Sequence, residues 1–466
     1  MTSRRSLWII CFVAALHGLF FIWYQRTDWS MQWSDQDGYR RLGQVLAQTG
    51  MFTRFPDAPR FVPEVLRTPL YPMFVAVLYK MFGVHQLPVA LAQTVAFMLI
   101  CIVVYATARR VAPEPVAVGA AAATALFAPI PYFGALVMTE VWTTLLFTVS
   151  MWLAVSALPD RGLARFAWLG CLIALATLSR PVFVLFPFAL AAVGLVLFPV
   201  FGVRRRPRPA QWIVMVAVFA ATMAPWFAYN YVTLGRFTLS PAGGVGRGLW
   251  EGSWQATWSG RLQNELTHLA DDIDERAELD RRVAMIAARE HLPAGPMLEY
   301  VHQWEDIRVI WTTPTDPYQR AVTRVQADEE YRRVGVENIR RDSASHLTRR
   351  VARGLFVLWA GEIPFRYSEI NALPSAIIRA CWAIQAAIFL LGLWGGYALL
   401  RASAAAGLIL LAPIVYISAV HFPLLTEARQ SLPAQPMLLL LATIGAAQLT
   451  GHLLPLEPQV HEREHL

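Results

Sequence analysis

The sequence predicts an all-α polytopic membrane protein of about ten transmembrane helices. Hydrophobic residues make up 56% of the 466 positions and charged residues only 15%, with a mean hydropathy of +0.42, which one soluble domain would not show. Apolar runs of about 17 to 25 residues recur along the chain, and each is long enough to cross the roughly 30 Å hydrocarbon layer as a helix. No segment shows the alternating pattern of a membrane β-barrel strand.

The apolar runs can be ordered across the membrane by the arginines between them. Arginine and lysine gather in the short cytoplasmic loops of membrane proteins, so we expect every arginine cluster to lie on one side. The clusters are Arg4 and Arg5, Arg109 and Arg110, Arg161 and Arg165, Arg204 to Arg208, and Arg401. This condition predicts ten spans with both termini cytoplasmic. The spans are 7–24, 86–108, 115–132, 140–157, 166–179, 181–202, 210–229, 374–400, 403–421 and 433–450.

The same order of spans divides the chain into membrane and extracytoplasmic regions. The regions are an N-terminal transmembrane module at 1–229 with a first extracytoplasmic loop at about 25–85, an extracytoplasmic helical region at 230–373, C-terminal transmembrane helices at 374–450, and a cytoplasmic tail at 451–466. Both extracytoplasmic stretches are too long to be simple connectors. In the second, Leu262, Leu266 and Leu269 recur at helical spacing, which predicts a small helical subdomain.

The basic character of the chain does not indicate a nucleic-acid partner. The formal charge is +8 and the pI is about 9.5, but the arginines gather in short loops between apolar runs, as in cytoplasmic anchoring. The four cysteines lie within apolar runs rather than in polar loops, where an extracytoplasmic disulfide or zinc site would be found. We therefore expect membrane lipids, and no nucleic acid, among the partners.

The most informative polar segment is SDQDGY at 34–39, which follows the first span. Carboxylates near the end of a span are costly unless they are hydrated, paired or functional, so Asp35 and Asp37 are candidate site residues. If the segment is helical, the two side chains point about 200° apart around the axis, and only one of them faces a pocket. The alternative is a solvated loop with no role at a site.

Three further charged residues lie at predicted ends of spans. Glu140 begins an apolar span, where a carboxylate can bind a polar ligand, a divalent cation or an arginine. The alternative for Glu140 is a helix N-terminal charge favoured by the macrodipole. Arg180 and Arg429 are predicted at the same face of the membrane, where guanidinium groups suit a phosphate. The alternative for both arginines is snorkelling to lipid headgroups.

Arg67 and Tyr71 lie beside a short apolar stretch in the first extracytoplasmic loop. The stretch at 73–82 is too short to span a membrane but suits an interfacial helix that shapes a pocket. We expect Arg67 to belong to that pocket. Tyr71 can contact a ligand in the pocket, but an aromatic anchor at the membrane interface is the favoured interpretation.

Several short motifs follow one another along the chain at the predicted extracytoplasmic side. They are DQDGYRRLGQ at 35–44, RTPLYPMF at 67–74, TE at 139–140, LSRP at 178–181, PW at 225–226, GRF at 235–237, GG at 243–244 and RQSLPAQP at 429–436. In these motifs the chain resembles membrane glycosyltransferases of the GT-C class. It is most similar to bacterial members of glycosyltransferase family 39, akin to protein O-mannosyltransferases and lipid A aminoarabinose transferases. It departs from their pattern at Leu70, Tyr229 and Gln430, where glycine, arginine and tyrosine are usual.

The resemblance implies a GT-C-like bundle and a glycosyltransferase activity. The donor would be a sugar carried on a polyprenyl phosphate, and the acceptor an extracytoplasmic lipid, glycan or protein. The sugar would be transferred with inversion at its anomeric carbon. The protein would lie in a bacterial inner membrane, with the active site facing the periplasm.

The resemblance also implies roles for the candidate residues. Asp35 would be the catalytic base, because it stands where the catalytic aspartate of the family usually falls. Arg429 and Arg180 would bind the donor phosphate. Asp37 and Glu140 would be acidic partners or metal contacts. No cofactor is certain, and a divalent cation is compatible with these carboxylates.

Two other functions fit the sequence. A lipid-linked sugar flippase or transporter also needs polar groups in a helical bundle, but its polar residues or broken helices should lie near the bilayer midplane. The candidates here cluster at one predicted face. A polysaccharide ligase or polymerase would be an enzyme with a different donor, and its usual large late loop is only loosely matched by residues 230–373.

Overall fold

The computed structural model describes residues 3–26, 34–159, 162–363, 365 and 372–451. Helices account for the regular structure of these residues, which contain no strand. The prediction of an all-α polytopic membrane protein is confirmed. Arg161, residues 27–33 of the first extracytoplasmic loop and residues 452–466 of the predicted tail lie outside the described residues.

Most of the predicted spans correspond to long apolar helices. In the described part of the chain, eight helices are long and apolar enough to cross a membrane. They are Arg4–Tyr24, Gln86–Ala108, Glu140–Ala157, Pro181–Val200, Pro209–Leu234, Ser375–Ala402, Ala404–His421 and Ala428–Leu449. The chain is therefore a multi-pass membrane protein by the length and composition of its helices.

The spans predicted at 115–132 and 166–179 correspond to shorter apolar helices. The helix Glu114–Leu126 has 13 residues, and a separate helix, Pro129–Gly134, follows it. Pro129 lacks the amide hydrogen that would continue the first helix, which explains the break within the predicted span. The helix Ala164–Ser179 has 16 residues and begins two residues before its predicted start.

Close helix packing in the bundle depends on glycine. The helix Ser375–Ala402 packs against the helix Gln435–Leu449. A Cβ added to Gly395 would lie 1.9 Å from the carbonyl oxygen of Leu441 and 2.7 Å from the amide nitrogen of Gly445. The two backbones are thus in direct contact, which is how membrane helices gain van der Waals attraction where burial from water contributes little.

Gly395→Val should lower the thermal stability of the purified protein. The added side chain has to push the two helices apart, and overpacking of this kind costs about 1–3 kcal/mol. We expect the melting temperature to fall by about 1–3 °C. Leu393→Val is the matched control, because Leu393 is 42% exposed on the same helix. Equal melting temperatures for the two variants would contradict the close contact.

A second hydrophobic core lies outside the bundle, in the region after the long helix that ends at Leu234. Its helices are Val245–Trp254, Gly260–Asp272, Arg276–Glu290, Ala294–Thr312 and Pro317–Arg341. Buried aromatic side chains dominate this core, and Trp250 stacks on Tyr300 with 4.8 Å between ring centroids. The helix predicted from the leucine spacing is present, and Leu262 and Leu266 lie in the second core.

The segment predicted to form the first extracytoplasmic loop contains two helices, Ser34–Thr49 and Leu70–Phe82, which pack against each other. The second of these includes the predicted interfacial stretch. The segment between them is tied to a distant part of the chain, because the Ser240 hydroxyl donates to the Leu66 carbonyl at 2.7 Å. This bond holds the start of the helical region against the first loop.

Candidate active site

Asp35 lies in the first turn of the helix Ser34–Thr49, between two arginines. Its Oδ2 is 3.4 Å from both Nη1 and Nη2 of Arg429, and its Oδ1 is 3.6 Å from Nη2 of Arg67. These contacts are longer than the roughly 2.7–2.9 Å of a tight charge-assisted hydrogen bond. The carboxylate, 48% exposed, is therefore oriented by two positive charges without being bound tightly to either.

Glu140 begins an apolar span and is buried, with only 3% of its side chain exposed. Its Oε1 is 3.6 Å from Nη1 of Arg180 and 3.9 Å from Nη1 of Arg429. Arg180 follows the helix Ala164–Ser179 in an extended conformation, because Pro181 disfavours helical backbone in the residue before it. One buried carboxylate thus lies between arginines from two distant segments.

Arg429 is the residue that joins these contacts. Its Nε donates to Oε2 of Glu427 at 2.8 Å, while its terminal nitrogens face Asp35 and Glu140. The Glu427 amide donates to the side-chain carbonyl of Gln430 at 3.0 Å, which fixes the backbone before the last span. We call the whole set the ion network. It consists of Arg67, Arg180, Arg429, Asp35, Glu140 and Glu427, and its formal charges cancel.

Arg67 is fixed from two sides. It donates to the backbone carbonyl of Asp35 at 3.3 Å, and its Cζ lies 4.9 Å from the ring centroid of Tyr39. The absence of a side chain at Gly38 makes this possible, because a Cβ there would lie 2.1 Å from the Arg67 Cζ. The glycine of the predicted DQDG motif therefore leaves room for the arginine.

Tyr71 is buried rather than exposed to lipid, in contrast to the favoured prediction of an interfacial anchor. Its side chain is fully buried, its ring contacts Tyr39 edge to face at 5.1 Å, and its hydroxyl donates to the Gln93 side chain at 3.1 Å. Gln93 in turn donates to the carbonyls of Gly134 and Leu136. The helix that carries Tyr71 turns this face toward the bundle, which the sequence of an apolar stretch does not specify.

Asp37 lies on another face of the same helix as Asp35. Its side chain is 42% exposed, and its ion-pair partner in the described part of the chain is Arg40, at 3.9 Å. It does not join the ion network and does not line the cavity beside Asp35. Residues two positions apart in a helix point about 200° apart around its axis, so this separation is expected.

A cavity of about 490 Å³ opens beside Asp35 and extends into the helical region. Its wall near the ion network includes Asp35, Tyr39, Arg67 and Pro181. Its wall in the helical region includes Arg247, Trp304, Trp311, Arg324, Asp328 and Tyr331. The volume is in the range of small-molecule sites. A single cavity therefore connects the candidate catalytic carboxylate with the second core.

The surrounding charges favour an ionised Asp35. Burial by itself raises the pKa of Asp35, but the charges of Arg429 and Arg67 and the hydrogen bonds from Arg429 outweigh this effect and hold the pKa below its usual value. Burial raises the pKa of Tyr39 to about 12, so its phenol stays protonated at neutral pH. The cavity thus presents a carboxylate next to a neutral hydroxyl donor.

Residues 66–229 match the model of a family described as dolichyl-phosphate-mannose-protein mannosyltransferase. The matched segment contains Arg67, Glu140 and Arg180 of the ion network. Comparison with the curated proteins gives no match.

Solved structures extend the likeness over nearly the whole chain. The archaeal oligosaccharyltransferase AglB from Archaeoglobus fulgidus, in complex with an inhibitory peptide and a dolichol-phosphate, covers 96% of this chain with a TM-score of 0.51 and 13% identity. The resemblance to GT-C membrane glycosyltransferases is confirmed. The apo form of the Archaeoglobus fulgidus oligosaccharyltransferase also covers 96%, with a TM-score of 0.51 and 14% identity.

ArnT from Cupriavidus metallidurans bound to undecaprenyl phosphate is a further GT-C structure that aligns with this chain. It covers 89% of this chain and 74% of ArnT, with 16% identity and a TM-score of 0.38. The present chain spans about half the length of the two oligosaccharyltransferase chains, 50% and 51%.

The residues of this GT-C-like site do not fit a metal ion held by the protein alone. Among the described residues, no group of three or more His, Cys, Asp or Glu side chains could hold one. Asp35 and Glu140 face arginines, whose charge opposes a bound cation. The divalent cation stays a prediction, and no step of the reaction proposed below passes through a metal.

The part of the cavity that lies in the helical region has no signal in the sequence. Arg324 and Asp328 belong to the helix Pro317–Arg341, which carries several other charged residues, and no local pattern distinguishes them. Glu427 does have a signal in the sequence, because it is a second charge two residues before Arg429 at the start of an apolar span.

Proposed function

We propose that this chain is an integral membrane glycosyltransferase that moves a sugar from a polyprenyl phosphate to an acceptor hydroxyl on the extracytoplasmic side. The observation that carries the proposal is the ion network, in which a loosely held carboxylate, Asp35, lies beside two arginines and lines a cavity. The GT-C fold is compatible with such a donor, since the AglB structure holds a dolichol-phosphate.

The donor phosphate binds to Arg429 and Arg180 in this proposal. Arg429 is anchored through Nε at 2.8 Å from Glu427, which leaves its two terminal nitrogens directed at Asp35 over a longer distance of 3.4 Å. A phosphate can take the place of Asp35 on this guanidinium fork and form two parallel hydrogen bonds. Arg180 adds a second positive charge, because Glu140 holds it near Arg429.

Asp35 acts as the general base in the transfer step. The acceptor oxygen attacks the anomeric carbon as the bond between that carbon and the phosphate oxygen breaks. The hydroxyl proton passes to the Asp35 carboxylate, and the bonding electrons leave with the polyprenyl phosphate, whose charge Arg429 and Arg180 stabilise. A single displacement of this kind inverts the configuration at the anomeric carbon.

The ends of the helices support an extracytoplasmic orientation of the site. Glu140 begins an apolar helix, Arg180 separates two of them and Arg429 lies at the start of the last. Arg109 and Arg110 lie at the opposite end of the helix Gln86–Ala108 from the site. Because such arginines mark the cytoplasmic side, the site faces the extracytoplasmic side, which is the periplasm if the membrane is a bacterial inner membrane.

The pH dependence of the reaction should differ between the free enzyme and its donor complex. In the free protein the pKa of Asp35 is below its usual value of about 3.9. Asp35 is therefore ionised at and above this usual value, and it becomes protonated only as the pH falls through the lowered pKa. Once phosphate occupies Arg429, the pKa of Asp35 should rise. We expect the acid limb of kcat at a higher pH than that of kcat/KM. Coincident limbs would contradict the exchange of partners at Arg429.

The test of the proposed function is a proteoliposome assay with purified protein and a panel of radiolabelled polyprenyl phosphate sugars. Release of label to an acceptor or to water should occur for at least one donor and should require Asp35. If no donor is consumed while the protein moves a labelled donor between leaflets, the chain is a transporter. Consumption of a pyrophosphate-linked oligosaccharide alone would instead indicate a ligase or polymerase.

A further inference from the structure

Arg324 is a positive charge in the cavity wall that lacks a carboxylate partner within the described ranges of the chain. It belongs to the helix Pro317–Arg341 and lies with its Cζ 4.4 Å from the ring centroid of Trp311. Stacking on an aromatic ring orients a guanidinium without neutralising it. The group therefore keeps its hydrogen-bond donors and its charge for a ligand.

The other two arginines in this part of the wall already have acidic partners. The Nε of Arg54 donates to Oε2 of Glu64 at 2.7 Å, and the Nε of Arg247 donates to Oε1 of Glu251 at 2.9 Å. The ion network is also neutral in formal charge. Arg324 differs from these two arginines because it forms no ion pair with any of the described residues.

The surroundings of Arg324 disfavour its positive charge and lower its pKa. Burial lowers the pKa of Arg324 to about 10, and the nearby charges of Arg54 and Arg247 add to the effect. Like charges held together in a partly buried place create a positive potential, which an anionic ligand relieves. The same potential would repel a cationic ligand.

Asp328 does not neutralise Arg324, although it lies one helical turn away. Its two oxygens accept hydrogen bonds from the backbone amides of Gly246 and Arg247, each at 3.2 Å, and it forms no ion pair with Arg324. Burial raises the pKa of Asp328, although these two amide hydrogen bonds act in the opposite direction. Asp328 serves to hold the start of the helix Val245–Trp254 in place.

Aromatic side chains line the same part of the cavity wall as Arg324. Trp311 stacks on Arg324, and the ring of Trp304 lies 4.6 Å from the Cζ of Arg247. Tyr331 completes this part of the lining. Aromatic side chains next to guanidinium groups suit a ligand that carries both apolar ring faces and a negative charge, such as an acidic or phosphorylated sugar.

We infer that Arg324, with Arg247 beside it, binds an anionic group of the acceptor, a phosphate or a carboxylate, and so selects an acidic glycan or glycolipid. This inference rests on the proposed function. Because one cavity joins Arg324 to Asp35, an acceptor anchored at Arg324 can extend a hydroxyl toward the carboxylate. The donor phosphate occupies Arg429 and Arg180, so two anions bind at separate arginines.

The test measures binding of radiolabelled inorganic phosphate to the full-length protein in lipid nanodiscs. Saturating polyprenyl phosphate is present, so that the donor arginines are occupied. Wild type should still bind phosphate, and Arg324→Gln should bind it at least tenfold more weakly. Arg340→Gln is the matched control, because Arg340 is exposed on the same helix and does not line the cavity. Its affinity should stay within twofold of wild type.

Competition then assigns the anion. Displacement of the bound phosphate by glucose 6-phosphate alone would identify a phosphate subsite. Displacement by both glucose 6-phosphate and glucuronate would identify a general subsite for acidic sugars. Neutral glucose should not displace the phosphate. If Arg324→Gln does not fold, Arg324→Lys keeps the charge but not the fork and should weaken binding about threefold.

Three results would overturn the inference. They are an absence of phosphate binding by wild type in the millimolar range, loss of that binding in the presence of polyprenyl phosphate, and equal phosphate binding by Arg324→Gln and wild type. Failure of the proposed function gives a different result, because phosphate binding would then persist in a protein that consumes no donor.

Discussion

Asp35→Asn should reduce transfer of the sugar by about 100- to 10,000-fold, the range expected when a general base is removed. Asparagine keeps the size and polarity of the side chain but cannot accept the acceptor proton. The contacts of Arg67 with the Asp35 backbone and with Tyr39 do not depend on the carboxylate. We therefore expect the variant to fold, and expect kcat to fall far more than donor affinity.

Asp37→Asn is the matched control for this prediction. Asp37 is on the same helix, has the same chemistry and lies outside the ion network, paired with the exposed Arg40. Its transfer rate should stay within about threefold of wild type, since an exposed ion pair contributes little. The measurement is donor consumption at saturating substrate, with melting temperature as a check of folding. A larger loss for Asp37→Asn than for Asp35→Asn would reassign the base.

Arg429→Lys should lower kcat/KM for the donor by about 100- to 1000-fold, the loss seen when one group that stabilises transition-state charge is removed. Lysine keeps the charge but has no planar fork, so it cannot reach Glu427 and a phosphate in the same geometry. Arg429→Gln should lose at least as much activity. It should also be less stable, because the buried Glu140 would lose one of its two arginine neighbours and retain only Arg180, at 3.6 Å.

Arg379→Gln is the control that distinguishes donor phosphate binding by Arg429 from snorkelling of an arginine to lipid headgroups. Arg379 is exposed near the start of the apolar helix Ser375–Ala402, where it is positioned to reach lipid headgroups. Its loss should change kcat/KM by less than about twofold, as for a screened surface charge. If Arg429→Lys and Arg379→Gln have the same small effect, Arg429 is a membrane anchor and does not bind the donor. Binding of radiolabelled polyprenyl phosphate gives an independent measurement of the same difference.

The contacts of Glu140, Arg180 and Arg429 bear on the alternative explanations for these residues. Glu140 has the position of a favourable helix N-terminal charge, yet its carboxylate lies between Arg180 and Arg429. Arg180 and Arg429 are directed at carboxylates rather than only at the membrane surface. None of these pairings could be predicted, because Asp35 and Arg429 are 394 residues apart and their meeting depends on which helices pack together.

The sequence also does not specify which face of a short apolar helix packs against the protein. The stretch that includes Tyr71 reads as interfacial by its length and hydropathy, and the corresponding helix is present. Tyr71 nevertheless points into the protein and bonds to Gln93. Hydropathy describes how apolar a segment is, but the rotation of a helix about its axis depends on the surface that packs against it.

The sequence by itself determined the fold class, most spans, the position of the candidate charges at helix ends, and the separation of Asp35 from Asp37. These features follow from hydrophobic length and helical period, which are properties of consecutive residues. Only the tertiary structure decided the ion network, the burial of Tyr71 and the uncompensated charge of Arg324. They depend on contacts between segments far apart in the chain, and a charge has a partner, or lacks one, only after those segments have packed.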